Sequence, residues 1–287
     1  MIFADKSFKY FSMFDAIESG LYFMIIGYYF LLFAYFLIMR FRISKKLYWL
    51  FFSLLFIFLA AGRVFFIGYY FFIPEASLSD AEMAATLMVF YRLATFCTWM
   101  GVACIMGVLG ILLFPPDTKL EKIKTDEKEK ATTTKKFNLT PNTKITMRII
   151  LLAIPIVVGI LALSLPDALF MDPAFVSEYD LDIDLITVNI GSWSYPAGRF
   201  VLNLVLLPLL VFLIPLIFFY LAWKTFGVLR KSYFLNAIGF VIYGAGRISQ
   251  GLLEAIGATH TSAILSPLLI LGSLLIIVIA NNYEQLK

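Results

Sequence analysis

Histidine and cysteine are nearly absent from this chain, and each scarcity excludes a class of site. His260 is the only histidine among 287 residues, so one chain can supply neither two axial histidines for haem nor an ordinary histidine-rich metal site. Cys97 and Cys104, the two cysteines, stand seven positions apart in one apolar run. On a helix they would be about 10.5 Å apart, beyond disulfide reach, so we expect them to be small packing residues.

Catalytic constellations are missing as well. The sequence has no Ser–His–Asp pattern and no paired carboxylates within an apolar run, which disfavours serine and aspartyl proteases. Gly244-Ala245-Gly246 lies inside an apolar helical run rather than in a strand-to-helix loop, so a dinucleotide-binding interpretation fails. We therefore expect a protein that is not an enzyme and that uses no metal or cofactor.

What the chain has instead is hydrophobicity. Apolar residues make up 61% and charged residues 15% of the sequence, against about 45–50% and about 25% in soluble domains. The excess gathers into runs long enough to span a membrane as helices. Seven runs are predicted, at residues 20–39, 47–73, 84–114, 146–165, 200–223, 233–256 and 262–280. The sequence thus predicts an all-α, polytopic membrane protein with seven transmembrane helices.

Charged residues between the runs predict the orientation. The first-to-second and fifth-to-sixth connections are basic, and the 115–145 connection is rich in lysine. The alternate connections, at 74–83 and 166–198, carry acids and no basic residue. The positive-inside rule therefore places the amino terminus outside and the carboxyl terminus in the cytoplasm, in a multi-pass protein of the cell membrane. Because topology accounts for the basic residues, nothing favours nucleic-acid binding.

The two long connections each allow two interpretations. Between Lys119 and Lys136, lysines alternate with acids, which fits either a solvated linker or a contact for a cytoplasmic protein partner or anionic lipid. In the acidic 166–198 connection, Ile186, Val188 and Ile190 alternate with polar residues, as is typical of a short strand. This connection either folds over the outer mouth of the bundle or is an unstructured tether.

Two matching stretches predict an internal repeat. When residues 31–46 are aligned with 216–231, a shift of 185 positions, aromatic residues and basic pairs coincide. A one-residue gap then aligns Ala61-Gly62-Arg63 with Ala245-Gly246-Arg247. Helices one to three and five to seven would form parallel repeats joined by helix four, as in some transporters. The alternative is chance similarity between two apolar runs of low diversity.

The repeat divides the chain into five parts. They are the outer amino-terminal segment with the first three-helix repeat (1–114), the cytoplasmic lysine-rich loop (115–145), linking helix four (146–165), the extracellular acidic loop (166–198), and the second three-helix repeat with a short tail (199–287). This arrangement resembles, in architecture alone, SWEET-type sugar transporters, trimeric intracellular cation channels and microbial rhodopsins. The paired Pro-Gln of the SWEET relatives is missing, and 262–280 lacks the lysine on which rhodopsins carry retinal, so no family is assigned.

Arg63 and Arg247 are the basis of the predicted site, because each lies deep within an apolar run. Counted from the basic turns, both lie about 24–26 Å above the cytoplasmic surface of a hydrocarbon core about 30 Å thick. Arginine forks suit carboxylate or phosphate groups. The predicted ligand-binding residues are Arg63, Arg92, Arg199, Tyr243, Arg247, Gln250 and Glu254. The alternative is that each arginine reaches the outer headgroups or locks helices together through Glu254.

These residues favour a membrane transport protein, either a transporter or a channel, for a small polar or anionic solute. A seven-helix sensor or receptor that signals through a separate cytoplasmic partner is the second hypothesis. A non-catalytic membrane assembly subunit is the third. The expected partners are the lipid bilayer and the small ligand, and the sequence indicates no particular oligomeric state.

Overall fold

The computed structural model describes residues 12–115, 140–171, 173–178, 183–190, 193–255 and 259–282. The stretch between Lys119 and Lys136 lies outside the described residues, as do the side chains of Gln250, Glu254 and His260. The part that is described is mostly helical. This confirms the predicted all-α architecture.

Within the described ranges, seven long helices follow one another. They are α1 (Met13–Ala34), α2 (Leu47–Ile67), α3 (Asp80–Leu113), α4 (Pro141–Ser164), α5 (Leu207–Lys224), α6 (Gly227–Ala255) and α7 (Thr259–Asn282). Three of them are extended by further helical turns: Tyr35–Phe41 and Arg42–Ser44 after α1, Gly68–Phe72 after α2, and Ala197–Arg199 with Phe200–Leu206 before α5. A 3-10 turn (Asp167–Leu169) and a short helix (Pro173–Glu178) follow α4.

Several helices begin before the predicted apolar runs because polar residues cap them. At the start of α1, the Ser12 N–H donates to the Asp15 carboxylate over 2.7 Å, and the Asp15 N–H donates to the Ser12 hydroxyl over 3.2 Å. At the start of α3, the Ser79 N–H donates to the Glu82 carboxylate over 3.2 Å. Such pairs satisfy amide groups that the first helical turn leaves without partners. Polar caps, rather than hydrophobicity, therefore set these boundaries.

Six of the helices, α1 to α5 and α7 with their extensions, are long and apolar enough to cross a membrane. The class of multi-pass membrane protein is thereby supported. Helix α6 has 29 residues, but it includes four charged residues: Arg230, Lys231, Arg247 and Glu254. A seventh span at α6, and the orientation of the bundle, stay predictions. Exposed apolar side chains such as Phe212 and Trp223 on α5 suit contact with lipid.

Six helices pack side by side in a ring, and α4 stands beside it. The order around the ring is α1, α2, α3, α5, α6 and α7, and α7 packs again against α1. Helix α4 packs against α3. The predicted packing cysteines, Cys97 and Cys104, are both buried on α3 with free thiols. The core therefore lies between two groups of three helices, α1–α3 and α5–α7.

The connection between α4 and α5 contains a β-hairpin. Strand β1 (Thr187–Ile190) pairs antiparallel with β2 (Trp193–Pro196), which confirms the short strand predicted from the alternation of residues 186–190. Before the hairpin, the side chains of Phe170 and Met171 are buried. The described part of this connection is therefore folded onto the helices rather than being an unstructured tether. We call this end of the ring the hairpin end, and the end with the basic turns at 40–46 and 224–231 the basic end.

Helices α6 and α7 approach each other closely at Gly239. A methyl group at this position would lie 2.6 Å from Ile277 Cγ1 and 3.3 Å from the Ser273 carbonyl oxygen. Small residues allow such close approach between helices in membranes. Gly272, on α7, has nothing within 4 Å of the corresponding position.

The two glycines should therefore respond oppositely to alanine. Gly239→Ala is expected to lower the free energy of unfolding by about 1–2 kcal/mol, because overpacking outweighs the better helix propensity of alanine. Gly272→Ala, the matched control, should be neutral or stabilising by up to about 1 kcal/mol. Thermal unfolding of both variants in detergent measures the difference. Equal shifts for the two variants would contradict the close packing of α6 on α7.

Candidate functional site

Arg63 lies inside the bundle rather than on its lipid-facing surface. Its side chain projects from α2 and is only 6% exposed. The guanidinium carbon lies 4.2 Å from the centre of the Tyr22 ring on α1. A cation over an aromatic face is stabilised by the charge distribution of the ring, and the effect grows as water is excluded. This position differs from the alternative in which Arg63 reaches out to lipid headgroups.

Arg247, on α6, comes to the same interior region from the other half of the ring. Its guanidinium carbon lies 5.8 Å from the centre of the Phe66 ring on α2. Both Arg63 and Arg247 lie close enough to the hydroxyl groups of Tyr22 and Tyr29 to interact with them electrostatically. The two arginines that the sequence singled out therefore act on one shared pair of tyrosines.

Tyr243 completes this group. It lies one helical turn before Arg247 on α6, and its hydroxyl interacts with that of Tyr29. We call Arg63, Arg247, Tyr22, Tyr29 and Tyr243 the arginine–tyrosine cluster. It joins α1 and α2 of the first group of helices to α6 of the second.

The cluster carries an excess of positive charge. Glu18, one turn before Tyr22 on α1, is the carboxylate that acts on the Tyr22 hydroxyl. Across the ranges that the structure describes, no carboxylate forms an ion pair with Arg63 or Arg247. Among the described side chains, two guanidinium groups are thus accompanied by one carboxylate, Glu18, and by phenol oxygens, which are weaker counter-groups than a carboxylate.

A cavity of about 80 Å³ lies next to the cluster, in the centre of the ring. Side chains from α2, α3, α5, α6 and α7 line it, and nearly all of them are apolar. Three lining residues carry polar groups: Thr98, Tyr243 and Arg247. Arg247 is seven positions, or about 10 Å along the helix axis, beyond Phe240, another lining residue on α6. The polar groups of α6 are therefore gathered towards one end of an otherwise apolar space.

Arg199 belongs to a second buried group, at the hairpin end. It is 7% exposed, and its guanidinium carbon lies 4.1 Å from the centre of the Tyr91 ring. One of its nitrogens donates to the Tyr69 hydroxyl over 3.4 Å. The amide of Asn203 donates to the Tyr91 hydroxyl over 2.6 Å. This group ties α2 and α3 to the start of α5, and it closes that side of the ring.

Arg92 ties α3 to the end of α4. It forms an ion pair with Asp167 over 2.5 Å and donates to the Leu163 carbonyl over 2.7 Å. Its guanidinium carbon also lies 5.8 Å from the centre of the Phe170 ring. The structure therefore brings Arg63, Arg247 and Tyr243 together, and it gives Arg92 and Arg199 protein contacts nearer the hairpin. Gln250 and Glu254 lie on α6 beyond Arg247, and the structure does not describe their side chains.

A further polar network was not predicted, and it lies at the basic end. Asn281, near the end of α7, accepts from the Tyr48 hydroxyl over 3.0 Å and donates to the Asn236 side-chain carbonyl over 3.0 Å. Its neighbour Asn282 accepts from Arg40, over 2.5 Å. We call these residues the asparagine network. It joins α2, α6 and α7 to the turns that follow α1.

Two tyrosines of the cluster, Tyr22 and Tyr29, were also missed from the sequence, whereas Tyr243 was predicted. Tyr22 and Tyr29 stand seven positions apart on α1, and Glu18 stands four positions before Tyr22. This spacing places all three on one helix face. In a chain with 15 tyrosines, such a face is easily taken for part of an interfacial aromatic belt. The pairing of buried tyrosines with one acid at helical spacing was the available signal.

Comparisons with known proteins add no functional information. No protein-family model, curated protein or solved structure matches this chain.

Proposed function

We propose that this protein is a multi-pass membrane transport protein, a transporter or channel that binds a small anionic solute between two three-helix halves. The observation that carries the proposal is the convergence of Arg63 and Arg247. They come from different halves of the ring. Arg63 lies over the Tyr22 ring, and Arg247 lies over the ring of Phe66, three positions after Arg63 on α2. A small anion between the guanidinium groups would supply the counter-charge that phenol oxygens supply only weakly.

The packing of the helices supports the proposed repeat. Exchanging α1, α2 and α3 for α5, α6 and α7 leaves the order around the ring unchanged. Tyr48 and Tyr233 are related by the same shift of 185 positions and lie close enough to interact. In transporters built from repeats, the substrate site lies at the repeat interface near the middle of the membrane. In the proposed topology α6 also crosses the membrane, which brings the number of spans to seven, and the hairpin end faces outwards.

The same contacts argue against a purely structural assembly subunit. In such a subunit each buried arginine would pair with a carboxylate, and the centre of the bundle would be filled. Here Arg63 stacks on Tyr22, and a cavity lies beside Arg247. No part of the proposal requires covalent chemistry, so the protein is proposed to bind and move its solute rather than to convert it.

A seven-helix sensor or receptor is the second candidate, and one observation favours it. Packed residues cover the ring near the hairpin, where Phe170 and Met171 are buried, and the asparagine network ties the helices at the other end. A bundle tied at both ends suits a protein that reports ligand binding without opening a path across the membrane. In this alternative the output would pass through the cytoplasmic connection that contains Lys119 and Lys136.

Deleting the residues between Lys119 and Lys136 separates the two candidates. The transport proposal predicts that proteoliposomes containing the deletion variant take up labelled propionate or nitrate at least half as fast as wild-type proteoliposomes. A short polar linker can be shortened with little loss of stability, because loop-closure entropy changes slowly with length. Empty liposomes are the control. Wild-type protein that binds these anions but never moves them would instead favour the sensor.

A further inference from the structure

We infer that the solute is a short-chain monocarboxylate, whose carboxylate binds Arg247 and whose alkyl chain fills the central cavity. This inference deepens the proposed function and rests on it. Two features of the cavity carry the inference: the asymmetry of its lining and its volume.

The lining is almost entirely apolar, and Arg247 and Tyr243 stand at one end of it. Both residues border the cavity chiefly through carbon atoms, and side chains such as Leu59, Val211 and Leu274 contribute most of the remaining hydrocarbon. A small inorganic anion would leave this hydrocarbon surface facing an empty space. A neutral apolar molecule would leave the guanidinium without a counter-charge. A molecule with one anionic group and an alkyl chain satisfies both ends.

The sign of the ligand charge follows from the neighbouring residues. Arg63 lies over Tyr22, and among the described side chains that act on Tyr22 the two arginines outnumber the one carboxylate, Glu18, so this region favours an anion. A carboxylate presents two oxygens that match the two parallel N–H groups of a guanidinium fork.

The volume limits the length of the alkyl chain. An apolar protein cavity of about 150 Å³ accommodates benzene, which has six carbon atoms. By proportion, the volume of about 80 Å³ in this protein accommodates about three carbon atoms, the length of the alkyl chain of butyrate. Propionate and butyrate fit this limit, and each methylene that they bury should improve affinity about fourfold. Hexanoate exceeds the limit and should bind more weakly than butyrate.

Equilibrium binding of a homologous series to the purified full-length protein tests the inference. The probes are acetate, propionate, butyrate, hexanoate and oleate, with nitrate and phosphate as inorganic anions. Affinity is expected to rise about fourfold per carbon from acetate to butyrate, and then to fall. Butyrate should bind at least tenfold more tightly than nitrate.

A variant with an enlarged cavity should gain affinity for a longer ligand, a result that damage to the fold would not produce. Leu274 is buried and lines the cavity, so Leu274→Ala should lengthen the space and move the optimum from butyrate to hexanoate. Val211→Ala, a smaller truncation of the lining on α5, provides the same test if the Leu274 variant does not fold. An unchanged optimum in a folded, enlarged variant would overturn the inference.

Other outcomes distinguish a failure of this inference from a failure of the proposed function. Nitrate or phosphate that binds as tightly as butyrate, in a manner that requires Arg247, would overturn the monocarboxylate assignment and leave the anion site standing. Oleate that binds more tightly than butyrate would overturn the size limit and indicate a lipid-derived fatty acid. A folded protein that binds none of these anions would overturn the proposed function together with the inference.

Discussion

Replacing Arg247 by glutamine is expected to weaken anion binding by at least tenfold. A hydrogen bond between charged partners contributes about 1.5–3 kcal/mol, and every 1.4 kcal/mol changes a dissociation constant about tenfold. Arg247 lies at the central cavity and close to the hydroxyls of Tyr22 and Tyr29, so its charge acts where the solute is proposed to bind. Glutamine keeps hydrogen-bonding groups but is shorter than arginine and removes the charge. Isothermal titration of the purified variant with propionate measures the loss.

Two further variants separate this effect from general damage to the protein. Arg230→Gln makes the same substitution on the same helix, at an exposed position in the basic turn, and should leave the affinity unchanged. Arg247→Lys keeps the charge but loses the planar fork, so it should recover part of the affinity. If Arg247→Gln folds normally and binds propionate as tightly as wild-type protein, Arg247 is not a ligand-binding residue.

Replacing Asn281 by alanine is expected to lower the free energy of unfolding by about 2–4 kcal/mol, because two partly or fully buried polar groups lose their partner at about 1–2 kcal/mol each. One of these groups is the Tyr48 hydroxyl. The other is the side-chain carbonyl of Asn236, a fully buried residue on α6. Thermal or denaturant unfolding in detergent measures the change. Faster hydrogen exchange near the end of α7 should accompany it.

A double-mutant cycle with Tyr48→Phe tests whether this loss comes from the network. Phenylalanine removes the hydroxyl and keeps the ring, which packs against Phe52 with 5.1 Å between ring centres. If Tyr48 and Asn281 stabilise the basic end together, the double variant should be more stable than the sum of the single losses predicts, by about 0.5–1.5 kcal/mol. Strictly additive losses would show that the two side chains stabilise the protein independently.

Much of the architecture could be predicted because it depends on patterns that the solvent imposes. A helix that crosses a membrane must bury its backbone hydrogen bonds and expose apolar side chains to lipid, so long apolar runs predict helices without tertiary information. The residues at which the helices begin were less predictable. Ser12 and Ser79 cap helices that begin several residues before the runs, and capping depends on individual side chains.

The candidate site was only partly predictable, because its partners come from distant parts of the chain. Arg63 and Arg247 could be recognised, since a charge within an apolar run needs a physical reason. Their neighbours Tyr22 and Tyr29 could not be ranked above other tyrosines until α1 was packed against α2 and α7. The same limit applies to Arg199, whose stacking on Tyr91 depends on the path of the chain through the hairpin.

Arg92 illustrates why the position of a residue within an apolar run does not by itself assign a role. It lies within an apolar run and was predicted to bind ligand with Arg63 and Arg247. In the folded protein it pairs with Asp167 at the end of α4 and with the Leu163 carbonyl. Leu163 belongs to α4, the helix that stands beside the ring, and Asp167 belongs to the 3-10 turn that follows it; hydropathy does not show which helices pack against each other.

A double-mutant cycle on Arg63 and Arg247 tests the central claim most directly, namely that these two arginines act at one anion site. The measurement is the affinity for propionate of the wild-type protein, Arg63→Gln, Arg247→Gln and the double variant. The account predicts that each single substitution weakens binding and that the two effects are coupled by about 1 kcal/mol or more, because residues that share one partner are not energetically independent. Losses that add to within about 0.5 kcal/mol, or unchanged affinity in the Arg63 variant, would contradict a shared site.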